Sequence, residues 1–446
     1  MNTKNVSDFS EKKKTKKKVP SMEESEEWYR LDNAATVFTH VNSRRITCLF
    51  RLSCELKKPV NVTILQEALE NIMRRFPYYQ VHLKRGLFWY YWEKNPKKPK
   101  IEKEVRNISQ KLSITEKNTF PFRVRVYQKR VAVEFHHSLT DGTGALTFLR
   151  ALIAEYLTLQ GVKVENYEDI FRPNQKPDLE EYEDGYKKNY SEEVPQPARL
   201  KNAFQITNKL EEKGKYHVTT GIIPLKEILA KSKSLNVTLT EYLIAIYLDA
   251  LQEILWSYPE KKRKKLLKPI RITVPVNLRR IFPSKTMRNF SLFVIPGIDP
   301  RLGKYSFEEI LKIVYHYMRV EVCDKFISQQ LARNVRGELN PLVRYAPLPI
   351  KKIFGRVIYN LFGERLYSGV LTNLGIVKMP EELEEKIENF HFLPAPSPAN
   401  KSGCAIVSFK DKLYINFGRV IKDPIVERHF FRRLVQDNIP VKIETN

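Results

Sequence analysis

Residues 136–142, which read HHSLTDG, place two histidines, a carboxylate and a glycine within one short stretch. A neutral imidazole has an ordinary pKa of about 6.5, so it can accept a proton from an alcohol or amine and pass it to a leaving group. The histidine pair therefore predicts a general base. Asp141 could orient a histidine, fix the loop or cap the helix that follows. Gly142 is expected to adopt a positive φ that allows a sharp turn.

The elements on either side of this stretch predict where the two imidazoles point. Val131 to Phe135 reads as a strand, and apolar residues recur at helical spacing from Thr143 to Leu159. Side chains alternate between the two faces of a strand, which puts His137 on the face of Phe135 and His136 on the other. Only one of the two imidazoles can then serve a given pocket.

The rest of the chain predicts mixed α/β (α+β) structure in two similar lobes, each a mixed sheet flanked by helices. Apolar patterning predicts strands over residues 45–56, 87–92, 271–276, 291–295 and 412–418, and helices over 62–75, 239–255, 306–326, 351–362 and 423–435. Residues 259–269 predict a basic loop. The expected division is a disordered basic tail over 1–20, an N-terminal lobe over 21–180, a linker or crossover over 181–215, and a C-terminal lobe over 216–446. The helix over 351–362 could pack on the core or lie on a membrane surface.

Composition and charge limit the classes of function. The 446 residues are 42% apolar and carry a net charge of +26. A basic body attracts nucleic acid, anionic lipid or phosphorylated small molecules. No helix-turn-helix, zinc-finger, KH or RRM signature is visible, so no nucleic-acid partner is predicted. Weak contact between the lysine-rich tail and a membrane surface remains open.

The four cysteines and the short apolar runs indicate in which cellular compartment the protein is expected. The cysteines show neither metal-site spacing nor a disulfide framework, so no metal is predicted. The longest apolar run, Tyr242 to Leu248, is far shorter than the roughly 18 residues of a membrane-spanning helix. Lysines stand where a secretory signal would need an apolar stretch. These features predict a reduced, cytoplasmic protein.

The HHSLTDG stretch resembles the HHxxxDG motif of the chloramphenicol acetyltransferase-like superfamily. That superfamily includes nonribosomal-peptide condensation domains, plant BAHD acyltransferases and microbial alcohol acetyltransferases. The resemblance implies that the second histidine, His137, is the general base. It also implies a two-lobed fold with an active-site tunnel between the lobes, which admits an acyl thioester from one side and an acceptor from the other. Asp141 would be structural and paired with an arginine of the second lobe.

Looser matches lie in the second half of the chain. Val274 to Arg279 resembles the family's PVNLR-like segment, which makes Arg279 the expected partner of Asp141, with Arg280 as a competitor. Arg288-Asn289 stands where family members often have Gly-Asn, so Arg288 departs from the family pattern and the resemblance leaves the backbone conformation there open.

Residues 372–375, TNLG, are similar to the SNLG segment of the alcohol acetyltransferase branch. In that branch the hydroxyl residue, here Thr372, lies near the developing oxyanion; a turn residue after a strand is the alternative.

The resemblance as a whole implies an acyl-CoA-dependent O-acyltransferase, of the alcohol acetyltransferase kind, that acts on a small hydroxyl or amine acceptor. Acyl-coenzyme A would be a co-substrate, with no permanently bound cofactor. The motif holds no cysteine, and Ser138 should face away from His137, so direct attack is expected. The alternatives are a condensation-domain-like enzyme that uses carrier-protein thioesters and a nonenzymatic basic binding protein.

Overall fold

The computed structural model describes residues 28–43, 45–198, 200–351 and 363–446. The predicted tail over 1–20 and nearly all of the predicted helix over 351–362 lie outside these residues. Within the described ranges, no helix combines the length and the apolar character needed to cross a bilayer.

The chain contains both strands and helices along its length, with several runs of consecutive strands or helices. The strands are β1 (Trp28–Arg30), β2 (Leu49–Leu56), β3 (Val81–Arg85), β4 (Tyr90–Lys94), β5 (Ile101–Lys103), β6 (Phe122–Tyr127), β7 (Arg130–His136), β8 (His217–Pro224), β9 (Ile270–Asn277), β10 (Ser291–Val294), β11 (Gly297–Ile298), β12 (Gly369–Ile376), β13 (Ile387–Leu393), β14 (Ser402–Phe409), β15 (Lys412–Arg419) and β16 (Lys442–Thr445). The helices are α1 (Asn33–Val41), α2 (Val62–Met73), α3 (Gly142–Leu159), α4 (Gly185–Lys188), α5 (Leu225–Ser234), α6 (Leu239–Ser257), α7 (Glu260–Leu266), α8 (Phe307–Glu321), α9 (Asp324–Leu339), α10 (Pro341–Arg344), α11 (Glu381–Glu384) and α12 (Ile425–Gln436).

Two large sheets organise these elements. The first sheet has the order β13-β2-β7-β6-β5, with only β5 and β6 parallel. The second has the order β10-β9-β12-β14-β15-β8-β16, with β11 beside β9 and β12 parallel to both of its neighbours. Helices α2 and α3 pack with the first sheet in one apolar core, while α6, α8 and α12 share a second core with the other sheet. The predicted two-lobed, mixed α/β fold is confirmed.

Strand β13 departs from the predicted division of the chain. Its sequence lies inside the predicted C-terminal lobe over 216–446, yet it pairs antiparallel with β2, with Phe392 opposite Leu52. Residues 387–393 are therefore part of the first sheet. Alternation within a strand indicates which of its faces is buried but does not indicate which strand pairs with it. The pairing of β13 with β2 was therefore not predictable from the sequence. The predicted crossover over 181–215 buries Tyr186 and Phe204 in the second core.

The predicted basic loop over 259–269 is wrong, because α7 occupies most of it. Lysine, arginine, glutamate and leucine are good helix formers, and Pro259 stands just before the first turn, where it costs no hydrogen bond. An ion pair of 2.6 Å joins Glu260 and Lys264, one turn apart. The helix predicted over 306–326 also ends early, at Glu321, and α9 follows it.

Candidate active site

The HHSLTDG loop joins β7 to α3 and is held at both ends. The His137 N–H donates to the carbonyl of Cys48, at 2.9 Å, which extends the pairing between β7 and β2 beyond the last strand residue. Asp141 is the N-cap of α3 and accepts a hydrogen bond of 3.1 Å from the Gly144 N–H. The loop therefore has little freedom to move the histidines.

His136 is fully buried and contributes to the shape of the loop. Its Nδ1 lies 2.7 Å from the Ser138 hydroxyl oxygen and accepts the Ser138 backbone N–H at 3.2 Å. Burial, with a smaller effect of His137, lowers the pKa of His136 to about 3. A neutral imidazole that accepts from its own loop acts as a structural anchor.

His137 has a different environment, although it is the next residue. It is the one residue from 131 to 140 that is not buried. Its ring stacks on Phe38, with 4.8 Å between centroids, and contacts Phe50 at 4.3 Å. Phe50 also packs on Phe135, so His137 lies on the Phe135 face, as strand alternation predicts.

The Phe38 and Phe50 rings withdraw the His137 imidazole from water although part of the residue stays exposed, and this desolvation sets its protonation state. Desolvation lowers the pKa to about 4, against the opposing effects of the Asp141 carboxylate and a hydrogen bond to the backbone of Thr140. The imidazole is therefore neutral near pH 7 and can accept a proton.

Asp141 links the two halves of the molecule. Arg279 Nη1 donates to Asp141 Oδ2 at 2.8 Å, and the Phe290 N–H donates to the same oxygen at 2.9 Å. Arg279 also donates to the carbonyls of Thr286 and Arg288. The Asp141 side chain therefore both caps α3 and pairs with Arg279.

Two glycines at the start of α3 lie in close contacts, and the contact at Gly144 includes a backbone carbonyl that cannot easily move. Gly142 has no positive φ, so the conformational reason predicted for it is wrong. A Cβ there would lie 3.0 Å from Leu374 Cδ2 of β12. A Cβ at Gly144 would overlap Thr140 Oγ1 and lie 2.8 Å from the Met287 carbonyl. Gly144 was not predicted as a site residue, although the Gly-Thr-Gly spacing at a helix start was a usable signal.

Asn289 is a site residue that sequence reasoning missed. Its side-chain amide donates to the His137 carbonyl at 2.8 Å and lies 3.5 Å from the Asp32 carboxylate. Asp32 is fully buried and caps α1, the helix that carries Phe38. Arg288, at the unusual position before Asn289, has no positive φ and places its Nε 3.5 Å from Asp32. Arg288 therefore does not adopt the left-handed conformation that a glycine would permit, and its side chain supports the same cluster.

Thr372 lies in β12, near the motif loop. Leu371 packs in the second core, and by alternation Thr372 points to the opposite side of the sheet. Leu374 packs against the first core and approaches Gly142. The structure therefore brings His136, His137, Asp141, Gly142 and Arg279 into one cluster and puts Thr372 on β12 of the second sheet, two residues before Leu374.

Comparisons with known proteins bear on the fold. No family model matches the chain, and no curated protein matches it. Many solved structures do. Polyketide synthase associated protein 5 from Mycobacterium tuberculosis matches with a TM-score of 0.56 and 15% identity, over 91% of this chain and 96% of that chain. The trichothecene 15-O-acetyltransferase of Fusarium sporotrichioides matches with a TM-score of 0.58 and 11% identity, over 91% and 94%.

A third match is the starter condensation domain of rhizomide synthetase in complex with C8-CoA. It has a TM-score of 0.59 and 12% identity, over 92% of this chain and 93% of that chain. The three similarities extend over nearly the full length of both partners. The chain thus has the fold of these proteins, which include a condensation domain and an O-acetyltransferase.

Proposed function

We propose that this protein is an acyltransferase that moves an acyl group from acyl-coenzyme A to a small alcohol, with His137 as the general base. The observation that carries the proposal is the contrast between the two histidines. His136 is sealed and bonded to its own loop, whereas His137 is partly accessible and is fixed through its backbone to Cys48 and Asn289. The fold shared with acyl-transferring enzymes supports this assignment.

The proposed reaction is a direct transfer. His137 removes the acceptor's hydroxyl proton while the oxygen attacks the thioester carbonyl and the C–O bond forms. The tetrahedral intermediate then collapses, the C–S bond breaks, and the imidazolium returns the proton to the departing thiolate. Thr372 is proposed to donate a hydrogen bond to the oxyanion. Asp141 and Arg279 position the loop and do not touch the reacting atoms.

Two side chains near His137 could be considered as covalent nucleophiles. The Ser138 hydroxyl is buried and engaged with His136, on the far side from His137. Burial raises the pKa of the Cys48 thiol, so it is not a reactive thiolate at neutral pH. Both observations favour direct attack over an acyl-enzyme intermediate.

A second candidate is an enzyme that takes its acyl or acceptor group from a carrier protein. The similarity to condensation domains supports it as strongly as the similarity to an O-acetyltransferase supports the first. Both candidates use a pantetheine-type thioester and the same base. They differ in what is attached to the distal end of the pantetheine.

The test is thiol release from a panel of acyl-coenzyme A donors, with and without alcohols, together with detection of the ester. Direct attack predicts thiol release that depends on the acceptor, intersecting double-reciprocal plots and no acylated protein. An acylated protein formed at a competent rate would contradict direct attack. Transfer from carrier-protein thioesters alone would select the second candidate.

A further inference from the structure

Two surface segments that are far apart in the sequence meet on the outside of the molecule. The first is the turn between β3 and β4, and the second is residues 341–351, which begin with α10. The Leu348 N–H donates to the Leu87 carbonyl at 3.1 Å, and Lys351 Nζ donates to the Phe88 carbonyl at 2.6 Å. Neither segment contributes a residue to the candidate active site, so their contact needs a separate explanation.

The joined segments expose large apolar side chains. Leu87 is 72% exposed, Leu342 is 86% exposed and Tyr345 is 60% exposed. The Phe88 ring connects the two segments, since its centroid lies 6.5 Å from that of Tyr345 and 5.9 Å from that of Trp89. Exposed apolar residues that stand singly need no explanation, whereas a group of them in contact indicates an interaction surface. These five residues are called the apolar patch.

The small sheet of β1, β4 and β3 extends the apolar patch with a second tryptophan. The inner face of this sheet packs Trp92 into the first core. On the outer face, the exposed Trp28 packs on Tyr91, with 5.7 Å between ring centroids. Arg30, the cross-strand partner of Tyr91, places its guanidinium 5.7 Å from the Trp89 ring. Tryptophan rings, with an apolar body and a polar N–H, favour the interface between a bilayer and water.

The apolar patch is flanked by cations without acidic partners. Residues 84–92 and 341–351 together hold four cationic side chains and no carboxylate. Arg85 and Arg344 are both exposed, and neither has a carboxylate within 4.0 Å in the described parts of the chain. Each lysine or arginine close to an anionic lipid surface strengthens attachment about fivefold. The charge around the apolar patch is therefore complementary to anionic headgroups.

Prolines and one lysine hold residues 341–351 in a single conformation. Pro341, Pro347 and Pro349 restrict the backbone of this segment. Lys351 Nζ donates to the Arg344 carbonyl at 2.9 Å in addition to its bond with the turn. The apolar side chains are therefore presented without a large entropic cost of ordering on binding.

The composition of the apolar patch favours a lipid bilayer over nucleic acid or a second protein. Its most exposed members, Leu87 and Leu342, are aliphatic and offer no ring on which a base could stack. They stand at a hairpin turn and on a helix of one turn. A bilayer accepts such exposed side chains without the complementary shape that a protein partner must supply.

We propose that this surface attaches the protein to the face of an anionic lipid bilayer. Leu87 and Leu342 enter the acyl-chain boundary, the two tryptophans lie at headgroup level, and Arg85 and Arg344 contact the lipid phosphates. Stable attachment to a membrane surface needs two signals, and this surface supplies an apolar and a cationic one. The assignment does not rest on the proposed acyl transfer.

Co-sedimentation of the full chain with vesicles tests the proposal, using phosphatidylcholine alone or mixed with phosphatidylglycerol. The double variant Leu87→Glu, Leu342→Glu should bind the mixed vesicles about tenfold more weakly or worse, because it loses two inserted side chains and adds two negative charges. The matched control Leu179→Glu, Leu302→Glu adds the same charges at exposed leucines outside the apolar patch. It should stay within about twofold of the parent protein. Melting temperatures establish that each variant is folded.

The two contributions to attachment separate in the same assay. Arg85→Gln, Arg344→Gln should weaken binding to the mixed vesicles severalfold at low salt and match the parent protein at high salt, because salt screens exposed charges. Brominated lipid should quench the tryptophan fluorescence of the parent protein and quench that of the double glutamate variant less.

Equal vesicle binding by the double glutamate variant and its control would overturn the proposal, including the case in which the lysines of residues 1–20 provide the attachment. Absence of parent binding to the mixed vesicles would overturn it as well. Unchanged vesicle binding, with loss of self-association or of binding to a single-stranded oligonucleotide in the double glutamate variant, would assign the surface to that other partner. Thiol release is not measured, so the proposed acyl transfer is tested independently.

Discussion

His136 and His137 are adjacent in sequence and differ in exposure and in hydrogen bonding, although desolvation lowers the pKa of both. The Nδ1 of His136 accepts the backbone N–H of Ser138, and the residue is sealed from solvent. His137 lies against two phenylalanine rings and retains partial exposure. The difference follows from strand geometry, because neighbouring residues of β7 point to opposite faces of the first sheet. Histidine therefore acts as a structural anchor at position 136 and as a candidate base at position 137.

Phe38 is expected to set the pKa of His137. Its ring contributes to the burial that lowers that pKa to about 4. Phe38→Ala should admit water and raise the pKa toward the ordinary value of about 6.5, because the charged form regains hydration. Since a base acts in its neutral form, the acid limb of the pH–rate profile should move to higher pH by the same amount.

NMR titration of His137 measures this pKa directly, without reference to activity. Phe38→Leu, which retains an apolar side chain, should produce a smaller shift. A titration curve unchanged in Phe38→Ala would show that the phenylalanine does not determine the protonation of His137.

Several residues of the candidate site were chosen from the sequence, but not always for the physical reason that the structure shows. Alternation correctly separated the two histidines, and Arg279 lies where the family resemblance put it. Gly142 was chosen for a backbone freedom that it does not use. Asn289 was visible only as part of an atypical pair, because a side chain that bonds a distant carbonyl leaves no local pattern.

At the scale of elements, α3 is joined to the second half of the chain through its first turn. Asp141 accepts from the Gly144 N–H within the helix and from Arg279 and the Phe290 N–H across the lobes. Asp141→Ala should lower the free energy of unfolding by about 3–5 kcal/mol, since it leaves a mostly buried arginine unpaired. Asp141→Asn retains one oxygen for the cap and should cost less. Urea denaturation of both variants measures the difference, and equal stability of Asp141→Ala and the parent protein would contradict this role.

Gly144 permits the close approach between α3 and the segment around Met287. A Cβ at this position would lie 2.7 Å from the Tyr79 hydroxyl and 2.8 Å from the Met287 carbonyl. Gly144→Ala should therefore destabilise the protein by about 1–3 kcal/mol, because a backbone carbonyl cannot move aside freely.

Gly337→Ala in α9 is the matched control. It has open space around the added methyl and should stabilise its helix by about 0.5–1 kcal/mol. Thermal melts compare the two variants; a Gly144→Ala protein as stable as Gly337→Ala would show that the contact is not tight.

Most elements were predictable because their apolar period is strong, as in α3 and α6. Among the elements that were not predicted, several strands depend on long-range pairing. Strand β13 is recognisable as a strand only beside β2, and β12 only between two parallel neighbours. Periodicity reports burial, and it does not report which distant strand provides the other half of the hydrogen bonds.

At the scale of the molecule, β13 makes the first lobe depend on the second half of the chain. Without it, β2 would be an exposed edge with buried-type side chains such as Phe50 and Leu52. A fragment of residues 21–180 would also lack the partners of Asp141. We expect this fragment to aggregate or to show no cooperative thermal transition by circular dichroism. A soluble fragment that melts cooperatively would contradict the dependence.

The most direct test of the central claim is the turnover number of His137→Ala in the thiol-release assay, measured beside His136→Ala and the surface control His316→Ala. A lost general base should reduce kcat by about 10²- to 10⁴-fold at an unchanged melting temperature. His316→Ala should match the parent protein, and any loss in His136→Ala should follow a loss of stability. Near-normal turnover by His137→Ala, with a folded but inactive His136→Ala, would contradict the assignment of the base.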